Sequence, residues 1–253
     1  MNPLSGLLLA LSFLTRLVPG RMARSEDFAA TLPWFPVAGA AVGALVAGPF
    51  HLGFLPRSPW LAAWLSLLLS LWLTRGLHWD GWADLCDAWG SQAQGERFWQ
   101  ILKDSRTGAF GAMGLIVGLA GQLILLQYCL GWGLYLGVGY AFVFGRGLAV
   151  GLMALNRGLA RPGLGAAFLP GATPGRVGMA ATLTLGAGLG ALPLPTLAAA
   201  LLLAILGLSE LTALARRQGG LNGDFLGCAV VWGELSVLLA LVLTSGAIPL
   251  AIR

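Results

Sequence analysis

Apolar residues in this chain run in long blocks and do not alternate. Continuous apolar segments lie at roughly 34–55, 60–75, 107–130, 133–155, 177–193, 196–215 and 225–251, most of them near the length of about 20 residues that a helix needs to cross a bilayer. Tight Pro- and Gly-containing punctuation separates neighbours at Pro56–Pro59, Gly131–Gly133 and Pro193–Pro195. Pro3–Leu17 is also apolar but short, and it crosses tilted or lies as an interfacial or re-entrant element. The pattern predicts an all-α, polytopic membrane helix bundle. About seven transmembrane helices are expected, with a short N-terminal apolar segment, as one integral domain over residues 1–253.

Composition agrees with the pattern. The chain is 57% hydrophobic and 10% charged, with a mean hydropathy of +0.81, whereas a soluble domain carries about 25% charged residues. Apolar segments continue to the C-terminus, so the first is not simply a removable signal peptide. Three cysteines, Cys86, Cys129 and Cys228, share no metal-ligand spacing. The net charge of +5 is scattered without a basic run, which gives a nucleic-acid partner little support.

Charge also orients the bundle. Alternating sides puts Arg16, Arg21, Arg24, Arg75, Arg97, Lys103, Arg106, Arg157, Arg161, Arg176, Arg216 and Arg217 on one face, against Arg57 and Arg253 on the other. By the positive-inside bias the first face is cytoplasmic. The loops at 156–176 and 216–224 and the polar window at 76–111 fall on that side.

That window concentrates the chemistry. Five of the chain's ten acidic residues lie in it, Asp80, Asp84, Asp87, Glu96 and Asp104, together with its one lysine, Lys103. On a helix, Asp80, Asp84 and Asp87 fall within about 60° of one another, with His78, Trp82, Cys86 and Trp89 opposite. Like charges at these spacings repel, and oxygen-only donors suit Mg²⁺, Mn²⁺ or Ca²⁺. The alternative is a solvated acidic face, which the scarcity of acids elsewhere disfavours. Trp79, Trp82 and Trp89 mark a membrane boundary or line a site for a flat ring.

Lys103-Asp104-Ser105-Arg106 follows, then Thr107-Gly108-Ala109-Phe110-Gly111. Its two cations can neutralise phosphate oxygens while Asp104 takes a proton or holds a metal; a helix start with juxtamembrane basic anchors is the lesser alternative. A second polar knot spans Gln218–Gly227 and contains Asn222 and Asp224, with Glu234 ten residues further on inside an apolar span. An ionisable residue within a span is a functional candidate by default. Glu234 is therefore either a site residue or the structural partner of Arg146, another charge in an apolar run.

These motifs together resemble the adenosylcobinamide-GDP ribazoletransferase family, the cobalamin synthases. The resemblance runs through FLTRLVPGR at 13–21, LPWFPVAGAAVG at 32–43, GLHWDGWADLCDAWG at 76–90, KDSRTGAFG at 103–111 and GGLNGDFLG at 219–227. Two departures are Val18-Pro19, whose order looks exchanged, and Asn222, where threonine is common. The resemblance implies a Mg²⁺-dependent enzyme of the bacterial inner membrane with its active site facing the cytoplasm. It implies Asp80, Asp84 and Asp87 as metal ligands, and Lys103, Asp104 and Arg106 as catalytic. It implies Arg16, Arg146, Asn222, Asp224 and Glu234 as substrate-binding. Adenosylcobinamide-GDP and α-ribazole, or α-ribazole 5′-phosphate, are the implied reactants, with membrane lipid as surroundings. A homo-oligomer and association with other cobalamin-pathway enzymes stay open.

Three other readings compete. A CDP-alcohol lipid synthase expects Ala-Arg where this chain continues to Asp84, and a prenyltransferase expects two separated Asp-rich blocks. A cation transporter expects carboxylates near mid-bilayer, whereas 76–111 reads as a cytoplasmic loop region.

Overall fold

The computed structural model describes residues 2–53 and 58–245. Arg57 and Arg253, and the end of the segment expected at 225–251, lie outside the described residues.

Asn2 opens the first helix, α1 (Pro3–Leu14), its side-chain oxygen accepting from the amides of Leu4 (2.7 Å) and Ser5 (3.2 Å). At 12 residues α1 is too short to cross a bilayer. A short α2 (Ser25–Phe28) and a 3-10 turn lead into α3 (Phe35–His51). Then come α4 (Pro59–Thr74) and α5 (Leu77–Gly90), with axes 90° apart. The remainder is α6 (Glu96–Leu102), α7 (Ala109–Gly131), α8 (Tyr135–Leu155), α9 (Leu164–Phe168), α10 (Pro174–Ala191), α11 (Leu194–Arg217) and α12 (Gly223–Thr244).

The break between α4 and α5 positions everything that follows. Arg75 (φ 59°) and Gly76 (φ 66°) are both left-handed, a conformation that costs a non-glycine residue about 1–2 kcal/mol. Tertiary contacts offset that cost. The Arg75 guanidinium donates to the carbonyls of Ser12 and Phe13 at the end of α1, and the Arg16 amide donates to the Leu73 carbonyl at 2.7 Å. The C-termini of α1 and α4 are thus fastened to each other, and α5 is sent off at a right angle.

Over the described residues each segment that the pattern predicts as a span is mainly helical, and the count of about seven is met by five or six candidates. Five helical segments are long and apolar enough to cross, Ser25–His51, α7, α8, α11 and α12, and a sixth is obtained if α4 and α5 are one broken span. The segment expected at 177–193 forms α10 and packs on α8, with Gly147 against Thr184; its Gly- and Thr-rich sequence is not apolar enough to join the five. The segment expected at 60–75 is only the first arm of the broken span. Nor is 76–90 a loop. It is the second arm, packed along α7 and α12.

The most enclosed helices are α8 and α12, whose buried residues occur on nearly every side. Helix α3 lies against α8 so closely that a Cβ at Gly39 or Gly43 would run into the carbonyls of Phe142 or Gly139. Close backbone approach is what small residues allow between membrane helices. We expect Gly43→Val to lower the thermal unfolding midpoint in detergent by roughly 5–10 °C, from about 2–3 kcal/mol of overpacking. Gly48→Ala, with open space around the new methyl, should leave it unchanged; equal midpoints for the two variants would contradict this packing.

Candidate active site

Helix α5 meets the first turn of α12 because neither has a side chain in the way. A Cβ on Gly81 would sit 2.8 Å from the Asp224 Cα. Asn222 caps α12, its Oδ1 accepting from the amides of Asp224 (3.2 Å) and Phe225 (3.5 Å), while its Nδ2 donates to Asp224 Oδ2 at 2.7 Å. The loop before it is tied down on both sides. Leu221 donates to the Leu159 carbonyl at 2.6 Å, Arg161 N donates to the Leu221 carbonyl at 3.0 Å, and the Trp99 indole donates to the Gln218 carbonyl at 3.0 Å. Arg161 also reaches Glu96 at 2.6 Å and lies 4.6 Å over the Trp99 ring; its hydrogen bond and charge hold the Glu96 carboxyl below the usual range.

A cavity of ≈ 420 Å³ opens at this junction. Its polar wall is made by His78, Asp80, Lys103, Asn222 and Asp224, and its apolar wall includes Phe13, Phe35 and Phe168. Residues from three separate motifs therefore converge: Asp80 from the acidic block, Lys103 from the KDSR block, and Asn222 and Asp224 from the Gly-rich knot. Asp84, half-buried one turn beyond Asp80, lies within electrostatic reach of Asp224, Asp80 and Asp87.

Asp87 is placed differently from the expectation. Its Oδ2 accepts from the Gly108 amide and its Oδ1 from the Gly111 amide, both at 2.7 Å. It is buried and caps the N-terminus of α7 from a neighbouring helix, where the helix dipole favours a negative charge. Both oxygens are engaged by backbone donors, so in this geometry Asp87 acts as a structural clamp. Among the described residues no three His, Cys, Asp or Glu side chains already stand close enough together to enclose an ion. The expected triad is not a preformed metal cage.

The KDSR block divides too. Lys103 borders the cavity, but Asp104 and Arg106 do not. They are exposed and closed on each other, with Arg106 Nε to Oδ1 at 3.0 Å, Nη2 to Oδ2 at 2.8 Å and the Arg106 amide to Oδ1 at 3.1 Å. Those hydrogen bonds pull the Asp104 pKa down to about 2 and raise that of Arg106. While Arg106 holds it, a carboxylate so weakly basic is a poor general base near neutrality, so Asp104 can take a proton only once that pair opens.

Three residues expected to bind substrate lie away from this cavity. Arg146 and Glu234 are 1% and 4% exposed and are paired with each other inside the bundle; neither borders the cavity. Of the two readings open for Glu234, the structure realises the partnership with Arg146. Arg16 lies on the surface, its guanidinium 5.8 Å from the centre of the Trp72 ring. Trp82 and Trp89 border a separate apolar groove of ≈ 490 Å³ formed with α11 and α12, not the acidic cavity. His78 was expected to point away from the carboxylates, yet it borders their cavity. The wall from Pro162 to Phe168 was missed, and its only sequence signal was that the 156–176 loop falls on the same side as the acidic window.

A family model described as cobalamin-5-phosphate synthase matches residues 6–242. A protein of Nitratidesulfovibrio vulgaris (strain Miyazaki F) named adenosylcobinamide-GDP ribazoletransferase is 46% identical over 237 residues, covering 94% of each chain. The protein of that name from N. vulgaris (strain Hildenborough) is 49% identical over 236 residues, 92% of this chain and 95% of its own. One from Brevibacillus brevis is 36% identical over 240 residues, 92% of this chain and 96% of its own. No solved structure matches.

The different settings of Asp84 and Asp87 make opposite predictions for stability. Asp87→Asn should lower the unfolding midpoint, because it weakens two charge-assisted hydrogen bonds of about 1.5–3 kcal/mol each. Asp84→Asn should hold or raise it, because it relieves repulsion. Thermal unfolding of the two purified variants checks the signs; a larger loss for Asp84→Asn would contradict the assignment.

Proposed function

Because the chain belongs to the cobalamin-5-phosphate synthase family, we propose that it is an adenosylcobinamide-GDP ribazoletransferase. A hydroxyl oxygen of α-ribazole, or of its 5′-phosphate, forms a bond to the cobinamide-side phosphorus of adenosylcobinamide-GDP. The bond from that phosphorus to the bridging oxygen breaks, the electron pair leaves with GMP, and the hydroxyl proton passes to an acceptor. The product is adenosylcobalamin or its 5′-phosphate. The observation that carries this reading is the convergence of Asp80, Lys103, Asn222 and Asp224, drawn from three distant motifs, on one cavity.

Displacement at phosphorus depends on positioning and charge stabilisation more than on covalent help. Lys103 borders the cavity, and its ammonium would offset charge on the departing GMP. Arg106 is exposed and tied only to Asp104, so it is free to exchange that partner for a phosphate oxygen, which it recognises by the same planar fork. The aromatic wall of Phe13, Phe35 and Phe168 gives a corrinoid or benzimidazole face an apolar surface and excludes water from one side.

Asp80, Asp84 and Asp224 fit magnesium by chemistry. They offer only hard oxygen donors, and among the described residues Asp84 sits among like charges with no protein donor of its own. These three would hold the ion, with Asp87 behind them; bound there, magnesium supplies charge neutralisation for the diphosphate. The excess of arginine on one side supports a site facing the cytoplasm.

Purified protein supplied with Mg²⁺, adenosylcobinamide-GDP and α-ribazole should release GMP, and folded protein that releases none would contradict the proposal. Asp84→Asn should lower kcat by about two to three orders of magnitude while membrane insertion and expression are kept. CMP release from a CDP-activated lipid would favour the lipid synthase instead.

A further inference from the structure

Beneath the cavity, five helices meet at a set of buried polar groups that the reaction above does not use. Glu234 of α12 accepts from Arg146 Nη1 of α8 on one carboxylate oxygen, and from Gln122 Nε2 of α7 at 3.1 Å on the other. Arg146 Nη1 also lies 3.4 Å from the Phe142 carbonyl. Among the described residues two buried nitrogens remain without a hydrogen-bond partner, Arg146 Nε and His78 Nε2. Their residues are 1% and 6% exposed. Both border a small chamber of ≈ 10 Å³, which Ser70, Thr74 and Glu234 also line. Ser70 and Thr74 donate their hydroxyls to the Leu67 and Ser70 carbonyls, each at 2.8 Å, and so keep acceptor lone pairs. The volume is about that of one water, and the polar partners number the two to four that a buried water needs.

We propose that one ordered water in this chamber links Arg146 to His78 Nε2, and that Arg146 and Glu234 are thereby positioning residues for the active site, acting through His78. His78 stands at the start of α5, two residues before Asp80, and it borders both the chamber and the ≈ 420 Å³ cavity. The water accepts from the Arg146 Nε–H and donates to His78 Nε2. The ring, and with it the first turn of the acidic helix, is then fixed in rotation against α8 and α12. A buried pair with no such link would hold the bundle together equally well without touching catalysis. The unpartnered nitrogens distinguish the two cases.

The kinetic test rests on the ribazoletransferase reading; a structural arm does not. A map of the wild-type protein at a resolution that shows solvent should contain one density peak within hydrogen-bond distance of both nitrogens, and an empty or apolar-filled chamber overturns the proposal. Arg146→Met with Glu234→Leu removes the pair without stranding a charge, a replacement proteins often tolerate. With an unfolding midpoint like the wild type, the double variant should lose at least about tenfold in kcat, with KM for both substrates nearly unchanged. Wild-type kcat in that folded variant would overturn the proposal. His78→Gln carries its amide to the Nε2 position and His78→Asn to the Nδ1 position. The glutamine variant should keep about a tenth or more of the wild-type rate, and the asparagine variant should fall at least about tenfold further. Any other order overturns the proposal. Absence of GMP release by the wild type would count against the reaction itself and leave the density test standing.

Discussion

A carboxylate beside lipid must be met by something positive, and this constraint organises the whole molecule. The motif carboxylates are answered one by one. Asp87 takes two backbone amides, Glu234 takes Arg146 and Gln122, Asp224 takes Asn222, Asp104 takes Arg106, and Glu96 takes Arg161. Among the described residues, Asp80 and Asp84 accept no side-chain or backbone hydrogen bond. Of these two unmatched acids Asp80 borders the cavity, and Asp84 lies one turn beyond it, within electrostatic reach of Asp80 and Asp224.

The fold supplies the place where that is tolerable. A continuous helix over 59–90 would carry the aspartates straight on along the axis of α4. The right-angle bend at Arg75–Gly76, fastened to the end of α1, turns α5 so that Gly81 meets Asp224 and Asp87 meets the first amides of α7. A broken span whose polar half lines a cavity is how membrane proteins accommodate charge at depth. It also removes one argument against ion transport, since Asp80–Asp87 do not lie in a loop. The family match over residues 6–242, and not the depth of the carboxylates, favours the transferase.

Much of this was legible in the sequence and some was not, for physical reasons. Over the described residues every long apolar run is mainly helical, because run length and composition alone decide that. The convergence of DGWAD, KDSR and GGLNGD was readable as co-occurrence, though nothing in the spacing says that Asp80 and Asp224 touch the same space. The division of labour within the acidic block was out of reach. A helical wheel puts Asp80, Asp84 and Asp87 on one face, but which neighbour arrives there depends on where α7 begins, and Gly108 and Gly111 are the only hint. Gly76 is a fair signal for a break; Arg75 in a left-handed conformation is not, since its stability comes from carbonyls some sixty residues earlier. Glu234 was ambiguous because an intramembrane charge reads the same whether it serves a substrate or another charge.

The central claim is that Asp80 and Asp84 await a cation while Asp87 is already satisfied by backbone amides. Mn²⁺ in place of magnesium, followed by electron paramagnetic resonance on the protein in nanodiscs with adenosylcobinamide-GDP, measures this directly. Bound Mn²⁺ should be present in the wild type, absent in Asp80→Asn and Asp84→Asn, and retained in folded Asp87→Asn. Binding that survives the loss of Asp84, or that depends on Asp87 as strongly as on Asp84, would contradict the account.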